Sequence, residues 1–318
     1  NVPLSGPGNL LKIGSERLFL LRSNDFTGVF TINDGPVIIS NSWALGATSA
    51  GTVIGAGGTM VLGSVGVPFN LTNEPITALA GARISRQGPS SVRIPGPISL
   101  PSPGPVVTVT NPSVSVNIVF EGPLTGAGGL TINGNTFFTG TNQNTYTGAT
   151  VVERGRLTIL KSAGKAMGGN LIIGDDDPFD DEESVNFSGI TELLANSAEV
   201  TVRAGARCLN FSTSETFARL SGDGVVSNES GAIMVGYGDA SFAFNGSLMG
   251  EGFFEKIGAA KGVLGGNSPL FTGEITVNDG TLEINGAIPG ATTAVIPGAR
   301  LTGHGSVANR FVQNGGIY

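Results

Sequence analysis

Three stretches of the chain share one alternation of apolar and polar positions and align with one another without gaps. They are FTGVFTINDGPVII, YTGATVVERGRLTI and FTGEITVNDGTLEI, which span residues 26–39, 146–159 and 271–284. In the third copy Ile275 and Val277 fall on one face of a strand, and Leu282 and Ile284 fall on the same face after a glycine turn. Because side chains alternate along a strand with a period of two, each copy is predicted to be two half-buried β-strands around a corner.

The inward-facing positions of the three copies are predicted to be buried, since a strand with one apolar face must cover that face against other strands. These positions are Phe30, Ile32, Val37 and Ile39 in the first copy, Val152, Leu157 and Ile159 in the second, and Ile275, Val277, Leu282 and Ile284 in the third. The intervening Glu274 and Glu283 are predicted to face solvent.

Glycines mark the corners of every copy. They are Gly28, Gly148 and Gly273 after the aromatic-threonine pair, and Gly35, Gly155 and Gly280 between the two strands. Each is expected to need either a positive φ or a close approach of another backbone, which residues with a Cβ tolerate poorly.

The similarity extends beyond the three copies. The stretch Phe120-x-Gly-x-Leu-x-Gly-x-Gly is repeated from Phe244, and its final glycine precedes the aromatic residue of the following copy at nearly the same distance in both places. Units of this kind cover their apolar faces by stacking, which predicts an all-β solenoid of parallel strands. With about 20–25 residues per coil, the chain would form roughly 13–16 coils. An array of β-sandwiches is the alternative fold, since it also has short strands and glycine turns.

These motifs resemble a known bacterial repeat. The Phe-x-Gly-x-Leu-x-Gly-x-Gly stretch, the later Tyr/Phe-Thr-Gly, the Val-x-x-Gly-x-Leu-x-Ile strands and the Ala-Leu-Gly corner at Ala44 are similar to the autotransporter-associated β-strand repeat. The resemblance implies a right-handed parallel β-helix that is secreted and displayed at a bacterial cell surface. Residues 66–118 have no counterpart in that repeat.

The repeat divides the chain into four segments. We assign residues 1–65 to a first β-helix module, 66–118 to a Pro-rich insertion or irregular coils, 119–243 to a second module with an acidic loop at 175–184, and 244–318 to a third, truncated module. Nine of the 17 prolines lie within residues 66–118. Because proline cannot donate a hydrogen bond to a ladder, central strands are not expected there. A long loop or edge strand and a projecting arm that contacts a neighbouring molecule are the two alternatives.

The composition limits which partners and which chemistry can be predicted for the chain. The 51 glycines, the 40% hydrophobic residues and the 13% charged residues suit an all-β protein. The net charge is −7 and the basic residues are scattered, so nucleic acid is not a predicted partner. No apolar run is long enough for a transmembrane helix. Cys208 is predicted to be a small core residue, and His304 is predicted to be exposed in a turn.

One segment carries a concentration of carboxylates. Residues 175–184 read DDDPFDDEES, and their five aspartates are candidate Ca²⁺ ligands: Asp175, Asp176, Asp177, Asp180 and Asp181. The spacing does not match an EF-hand loop. A solvated acidic loop that protrudes from a corner is the alternative interpretation and the one we favour.

Two function classes follow from the sequence. The first is an extracellular structural or adhesive protein, either a cell-surface stalk or a filament subunit, which contacts host or matrix surfaces. End-to-end association would dock the coil at residues 10–13 on the coil at residues 310–312 of another copy. The second class is a carbohydrate-active β-helix enzyme. We assign no catalytic residue and no cofactor, because the acids outside residues 175–184 are scattered singly along the chain, as are Glu121, Glu153, Glu192, Glu199, Asp223, Asp239, Glu251 and Glu255.

Overall fold

The chain folds as an all-β protein of parallel strands. A computed structural model describes residues 2–63, 69–113, 115–175, 183–209 and 213–312 of the 318. Within these ranges there is no α-helix, and the one helical element is a short 3-10 turn at Tyr237–Asp239. The chain forms two compact units, Asn1–Gly168 and Gly169–Tyr318.

The first unit contains sixteen strands among its described residues. They are β1 (Leu10–Lys12), β2 (Leu18–Leu20), β3 (Phe30–Ile39), β4 (Thr52–Gly63), β5 (Phe69–Asn70), β6 (Ile76–Ala78), β7 (Arg83–Gln87), β8 (Val92–Ile94), β9 (Ile98–Ser99), β10 (Gly104–Thr110), β11 (Ile118–Phe120), β12 (Leu124–Thr125), β13 (Gly128–Asn133), β14 (Thr136–Phe138), β15 (Thr150–Arg154) and β16 (Arg156–Ile159).

Parallel pairing arranges these strands in three rows. One row joins β1, β3, β4, β6, β9 and β12. A second joins β2, β3, β4, β7, β10, β13 and β15, and a third joins β5, β8, β11, β14 and β16. The chain visits the rows in turn and returns one strand further along, so the first unit is a parallel β-solenoid.

In the part of the second unit that the structure describes there are eighteen strands. They are β17 (Leu171–Ile173), β18 (Ser184–Phe187), β19 (Glu199–Val202), β20 (Arg207–Leu209), β21 (Glu215–Phe217), β22 (Arg219–Gly222), β23 (Val225–Ser227), β24 (Ala232–Val235), β25 (Phe242–Phe244), β26 (Ser247–Gly250), β27 (Phe253–Lys256), β28 (Lys261–Leu264), β29 (Leu270–Phe271), β30 (Glu274–Val277), β31 (Thr281–Ile284), β32 (Ala287–Val295), β33 (Arg300–Thr302) and β34 (Ser306–Val312).

The second unit is also a three-row solenoid. Its rows are β17-β19-β22-β25-β28-β31-β33, β18-β20-β23-β26-β29 and β21-β24-β27-β30-β32-β34. Leu264 pairs with Ile284, so one coil leads from the first of these residues to the second. The chain forms about 13 turns, which is within the range that the sequence predicts.

The predicted inward faces are confirmed. All eleven apolar positions of the three copies are at most 4% exposed, and Glu274 and Glu283 are partly exposed. At about 25 cal/mol per Å² of apolar surface removed from water, a fully buried Val, Ile, Leu or Phe contributes about 1.5–3 kcal/mol. The period of two in the sequence therefore gives the correct register for each copy.

The expectation that the Pro-rich segment contains no central strand is wrong. β7 pairs with β4 on one side and β10 on the other, and β8 pairs with β5 and β11. Pro75, Pro95 and Pro97 avoid the ladder because each stands immediately outside the end of a strand. Pro105 lies within β10 at a register irregularity, where a missing N–H is tolerated. The boundaries of the four predicted segments stay a prediction.

Candidate functional site

The acidic segment lies between two strands of the second unit. Asp175 follows β17 and is partly buried, and Ser184 begins β18. Asp176, Asp177, Asp180 and Asp181 lie outside the described residues. Among the residues that are described, no group of three or more His, Cys, Asp or Glu side chains could hold a metal ion. The calcium site and the solvated loop therefore both stay predictions.

Exposed carboxylates on the coils pair with basic residues of the neighbouring coil. Glu199 Oε1 lies 3.3 Å from Arg219 Nε, and Glu283 Oε2 lies 2.5 Å from Lys261 Nζ. Hydrogen bonds from Lys261 and Asn285 lower the pKa of Glu283. Ion pairs at the surface contribute little to stability, because solvent screens their charges. Their effect is on the register between adjacent strands, since opposite charges face each other along a row.

A pocket of about 280 Å³ lies at the last described strands of the second unit. Its described lining is Ile284, Arg300, Leu301, Thr302, Gly303, Gly305 and Val307. Glycoside hydrolysis requires two carboxylates across one space, and this described lining supplies no carboxylate. His304, the neighbouring residue, is exposed in a turn, as the sequence predicts.

Cys208 is buried in β20, which confirms its predicted place in the core. Burial raises the pKa of its thiol, and the nearby Glu215 carboxylate acts in the same direction. A thiol held in the neutral form is a weak nucleophile. Cys208 is therefore a packing residue of the coil.

The paired glycines of the repeat contact each other across coils. A Cβ on Gly28 would overlap the carbonyl of Gly8, and a Cβ on Gly273 would overlap the carbonyl oxygen of Gly252. The equivalent Gly148 approaches Gly128. The expected close approach is thus confirmed, and its partner is the last glycine of the preceding Phe-x-Gly-x-Leu-x-Gly-x-Gly stretch or its equivalent.

The glycines between the two strands of each copy have a positive φ, which is the second of the two predicted reasons for a glycine. The φ angles are 71° at Gly35, 74° at Gly155 and 64° at Gly280. This left-handed conformation is readily adopted by glycine, whereas L-residues with a Cβ rarely visit it. The sequence therefore predicts these corners correctly.

An amide side chain bridges three successive coils just before the aromatic residue. Asn144 Oδ1 accepts a hydrogen bond from Leu124 N at 3.0 Å, and Asn144 Nδ2 donates to Ala166 O at 2.9 Å. Asn24 makes the same two bonds with Leu4 N and Ala44 O in the first copy. Ser268 accepts from Leu248 N in the third copy. These side chains satisfy backbone groups where the strand ladder is interrupted.

A buried lysine closes the corner in the first and third copies. Lys256 Nζ donates to the carbonyl oxygens of Ile257, Gly258 and Asp279 at 2.8, 2.5 and 3.1 Å. Lys12 donates to Ile13, Gly14 and Asp34 in the same way. We call each set a lysine corner. Burial lowers the pKa of Lys256, and Asp279 and Asp239 oppose that shift.

The second copy closes the equivalent corner without a lysine. Arg154 precedes the turn glycine as Asp34 and Asp279 do, and its carbonyl accepts a hydrogen bond from Gly134 N at 2.7 Å. A backbone amide thus replaces the ammonium group. The lysine corner is therefore one of two ways in which this fold satisfies the same carbonyl.

The sequence reasoning missed the asparagine bridges and the lysine corners. A signal for the first was present, since NDFTG and NTYTG place an asparagine just before the aromatic residue in two copies. Lys12 precedes Phe26, and Lys256 precedes Phe271, by nearly equal lengths of chain. A lysine within an apolar strand suggests a charged residue facing solvent, and only the coil geometry shows that its ammonium group points to carbonyls.

The aromatic residue of the repeat and the residue four positions later change together from copy to copy. Tyr146 Oη and Thr150 Oγ1 lie 2.5 Å apart and are hydrogen-bonded inside the core. The equivalent residues are Phe26 and Phe30 in the first copy, whose rings pack edge to face at 6.2 Å. The third copy has Phe271 and Ile275. A hydroxyl on one residue is accompanied by a hydroxyl on the other.

Removing one hydroxyl of this pair is expected to destabilise the first unit. Tyr146→Phe leaves the buried Thr150 hydroxyl without its partner and should lower the free energy of unfolding by about 1–2 kcal/mol. Tyr146→Phe combined with Thr150→Ile reproduces the third copy and should recover most of that loss. A double-mutant cycle by urea unfolding measures the coupling. Strictly additive effects of the two single changes would contradict the prediction.

Comparison with known proteins finds one family. The profile of the passenger-associated transport repeat matches residues 10–37 and 254–284. The first match contains Lys12 and most of the first copy, and the second contains Lys256 and the third copy. No curated protein and no solved structure matches the chain significantly. Both matched segments therefore contain a lysine and the corner glycine that follows it.

Proposed function

We propose that the chain is an extracellular structural stalk. The proposal starts from its resemblance to an autotransporter passenger-like β-helix repeat protein. The family match and the solenoid fit a surface-associated passenger domain. The observation that carries the finer proposal is the use of buried and partly buried polar groups. Lys256, Asn144 and Asn24 all bond to the backbone of neighbouring coils. Their chemistry is thus used to hold the stack together.

The surface charges support the same function. Glu121, Glu199 and Glu283 each pair with a basic residue one coil away. Glu255 accepts a hydrogen bond from Asn278, which also lies one coil away. Acids that are neutralised in this way strengthen lateral contacts between strands. We therefore propose a structural coil stack in preference to a carbohydrate-active enzyme.

Surface labelling of cells tests whether the chain is displayed outside the cell, as the proposed stalk requires. An epitope inserted between residues 178 and 179 of the full-length gene product interrupts the polar connection between β17 and β18 and leaves both strands intact. We expect antibody to label intact cells, and external protease to remove the label. The same epitope inserted between Ile275 and Thr276 is the control, because it interrupts β30 and should reduce display. Label that appears only after the cells are made permeable would contradict the proposal.

Two finer roles extend this proposal. An adhesive role predicts that cells displaying the protein attach to host or matrix surfaces more than cells lacking it. A filament role predicts end-to-end association of the purified chain, which electron microscopy would reveal as fibres with a constant axial repeat. Head-to-tail contacts that do not close produce open filaments. Monodisperse single particles at high concentration would contradict the filament role.

A further inference from the structure

A carboxylic acid is buried inside the first unit at Glu74. The residue is 1% exposed. Thr52 Oγ1 donates a hydrogen bond to Glu74 Oε1 at 2.8 Å. The second oxygen, Oε2, is buried and has no hydrogen-bond partner among the described residues. A carboxylate in such a place is costly, because burial removes its hydration and one hydrogen bond replaces only part of it.

Among the described residues, the three strands next to Glu74 provide no compensating charge. Thr52 belongs to β4, and β6 begins two residues after Glu74. A Cβ on Gly96, just before β9, would overlap the Glu74 carbonyl. None of these three strands contains a charged residue. Residues 64–68, which lie outside the description, contain no ionisable side chain. Arg93 of the neighbouring β8 is exposed and ion-paired with Glu121.

Burial is the main influence on the pKa of Glu74. It raises the pKa of Glu74 from 4.5 to about 7, and the hydrogen bond from Thr52 opposes the shift. The neutral acid is the form that suits the site. The anion forms close to neutral pH, where ordinary glutamates are already fully ionised.

Glu74 also lies where three coils are joined. Thr52 N donates to Pro75 O at 2.9 Å, and Ile76 N donates to Pro97 O at 2.9 Å. Leu79 N donates to Ile54 O at 2.9 Å. These bonds tie the segment 72–79 to the coil before it and to the coil after it. We call this segment the Glu74 junction.

We propose that the Glu74 junction is a proton-sensitive element of the solenoid, closed while the carboxylic acid is neutral and loosened when it ionises. The closed junction binds the proton more tightly than the open one. Its stability is therefore full below about pH 4.5, declines as the pH rises from 4.5 to about 7, and stays low above that value. A stalk built on this plan stiffens in acid at the Glu74 junction.

Hydrogen exchange measured as protection factors, with the intrinsic effect of pH removed, tests the proposal. Between about pH 5 and pH 8 the two pKa values predict a roughly 70-fold loss of protection at the amides of Thr52, Ile76 and Leu79. The amide of Ile257, which bonds to Val235 O in the second unit, should change far less. Equal changes at both places would overturn the proposal.

Variants separate Glu74 from other titrating groups. Glu74→Gln keeps the size and an acceptor for Thr52 but cannot ionise, so the protection of the junction should become independent of pH. Glu283→Gln, at a partly exposed glutamate of the second unit, is the matched control and should keep the wild-type profile of the junction. Thr52→Val removes the bond that favours the anion and should enlarge the loss at pH 8. A Glu74→Gln profile equal to that of the wild type would contradict the proposal.

A measurement on the unmodified chain gives an independent answer. The ¹³Cδ signal of Glu74 should titrate near pH 7, well above the usual range of a glutamate side chain. This result does not depend on how any variant folds. Titration of Glu74 at the ordinary value would overturn the proposal.

Discussion

Replacing Lys256 with methionine is expected to lower the free energy of unfolding of the second unit by about 3 kcal/mol or more. The ammonium group is fully buried and donates to three carbonyl oxygens. Methionine is similar in volume but donates no hydrogen bond, and each buried acceptor left without a partner costs about 1–3 kcal/mol. Urea unfolding followed by circular dichroism measures the loss.

Lys261→Met is the matched control for this prediction. Lys261 begins the next strand, β28, is about half exposed and pairs with Glu283 on the surface. Its replacement should cost less than about 1 kcal/mol. If Lys256→Met is as stable as Lys261→Met, then water enters the corner and satisfies the carbonyls, and the lysine corner is not a determinant of stability.

Replacing Gly273 with alanine is expected to have an effect of the same size, about 3 kcal/mol, for a steric reason. The new Cβ would overlap the carbonyl oxygen of Gly252 in the adjacent coil. Because that oxygen belongs to backbone, relief requires the two coils to move apart, and forced overpacking of this kind typically costs about 1–3 kcal/mol or more. The change should appear as a lower urea midpoint and faster hydrogen exchange in β30.

Gly8→Ala provides the comparison for Gly273→Ala. A Cβ on Gly8 would meet no atom within 4 Å, and Gly8 does not have a positive φ. The substitution should therefore be neutral or slightly stabilising, since alanine restricts the unfolded chain. A Gly273→Ala variant that unfolds at the wild-type urea concentration would contradict the proposed coil contact.

The effects of these substitutions should be local, because a solenoid is a quasi-one-dimensional stack of coils. Each coil of a solenoid contacts only its neighbours, so stability is close to a sum of coil and interface contributions. A change at Lys256 or Gly273 should therefore act on the coils next to it. Hydrogen exchange resolves such local effects better than a single global transition, because large repeat proteins need not unfold in one step.

The amino-acid sequence by itself determines the faces of the strands and the positions of many corners. Ile275, Val277, Leu282 and Ile284 are buried because alternate residues of a strand point to the same side, and this period is local. Gly280 marks a corner because its left-handed conformation is a property of one residue. Such features need no knowledge of the neighbouring coil.

The tertiary structure alone decides which residues meet between coils. The coil length varies, since Leu282 pairs with Leu301 whereas Ile98 pairs with Leu124, across a longer stretch of chain. The contacts of Gly273 and Lys256 with adjacent coils therefore cannot be read from a fixed spacing. The central strand β7 was missed because prolines beside a strand and prolines within it look alike in sequence. Only stacking brings these distant groups within bonding distance and shows where a buried charge finds its partners.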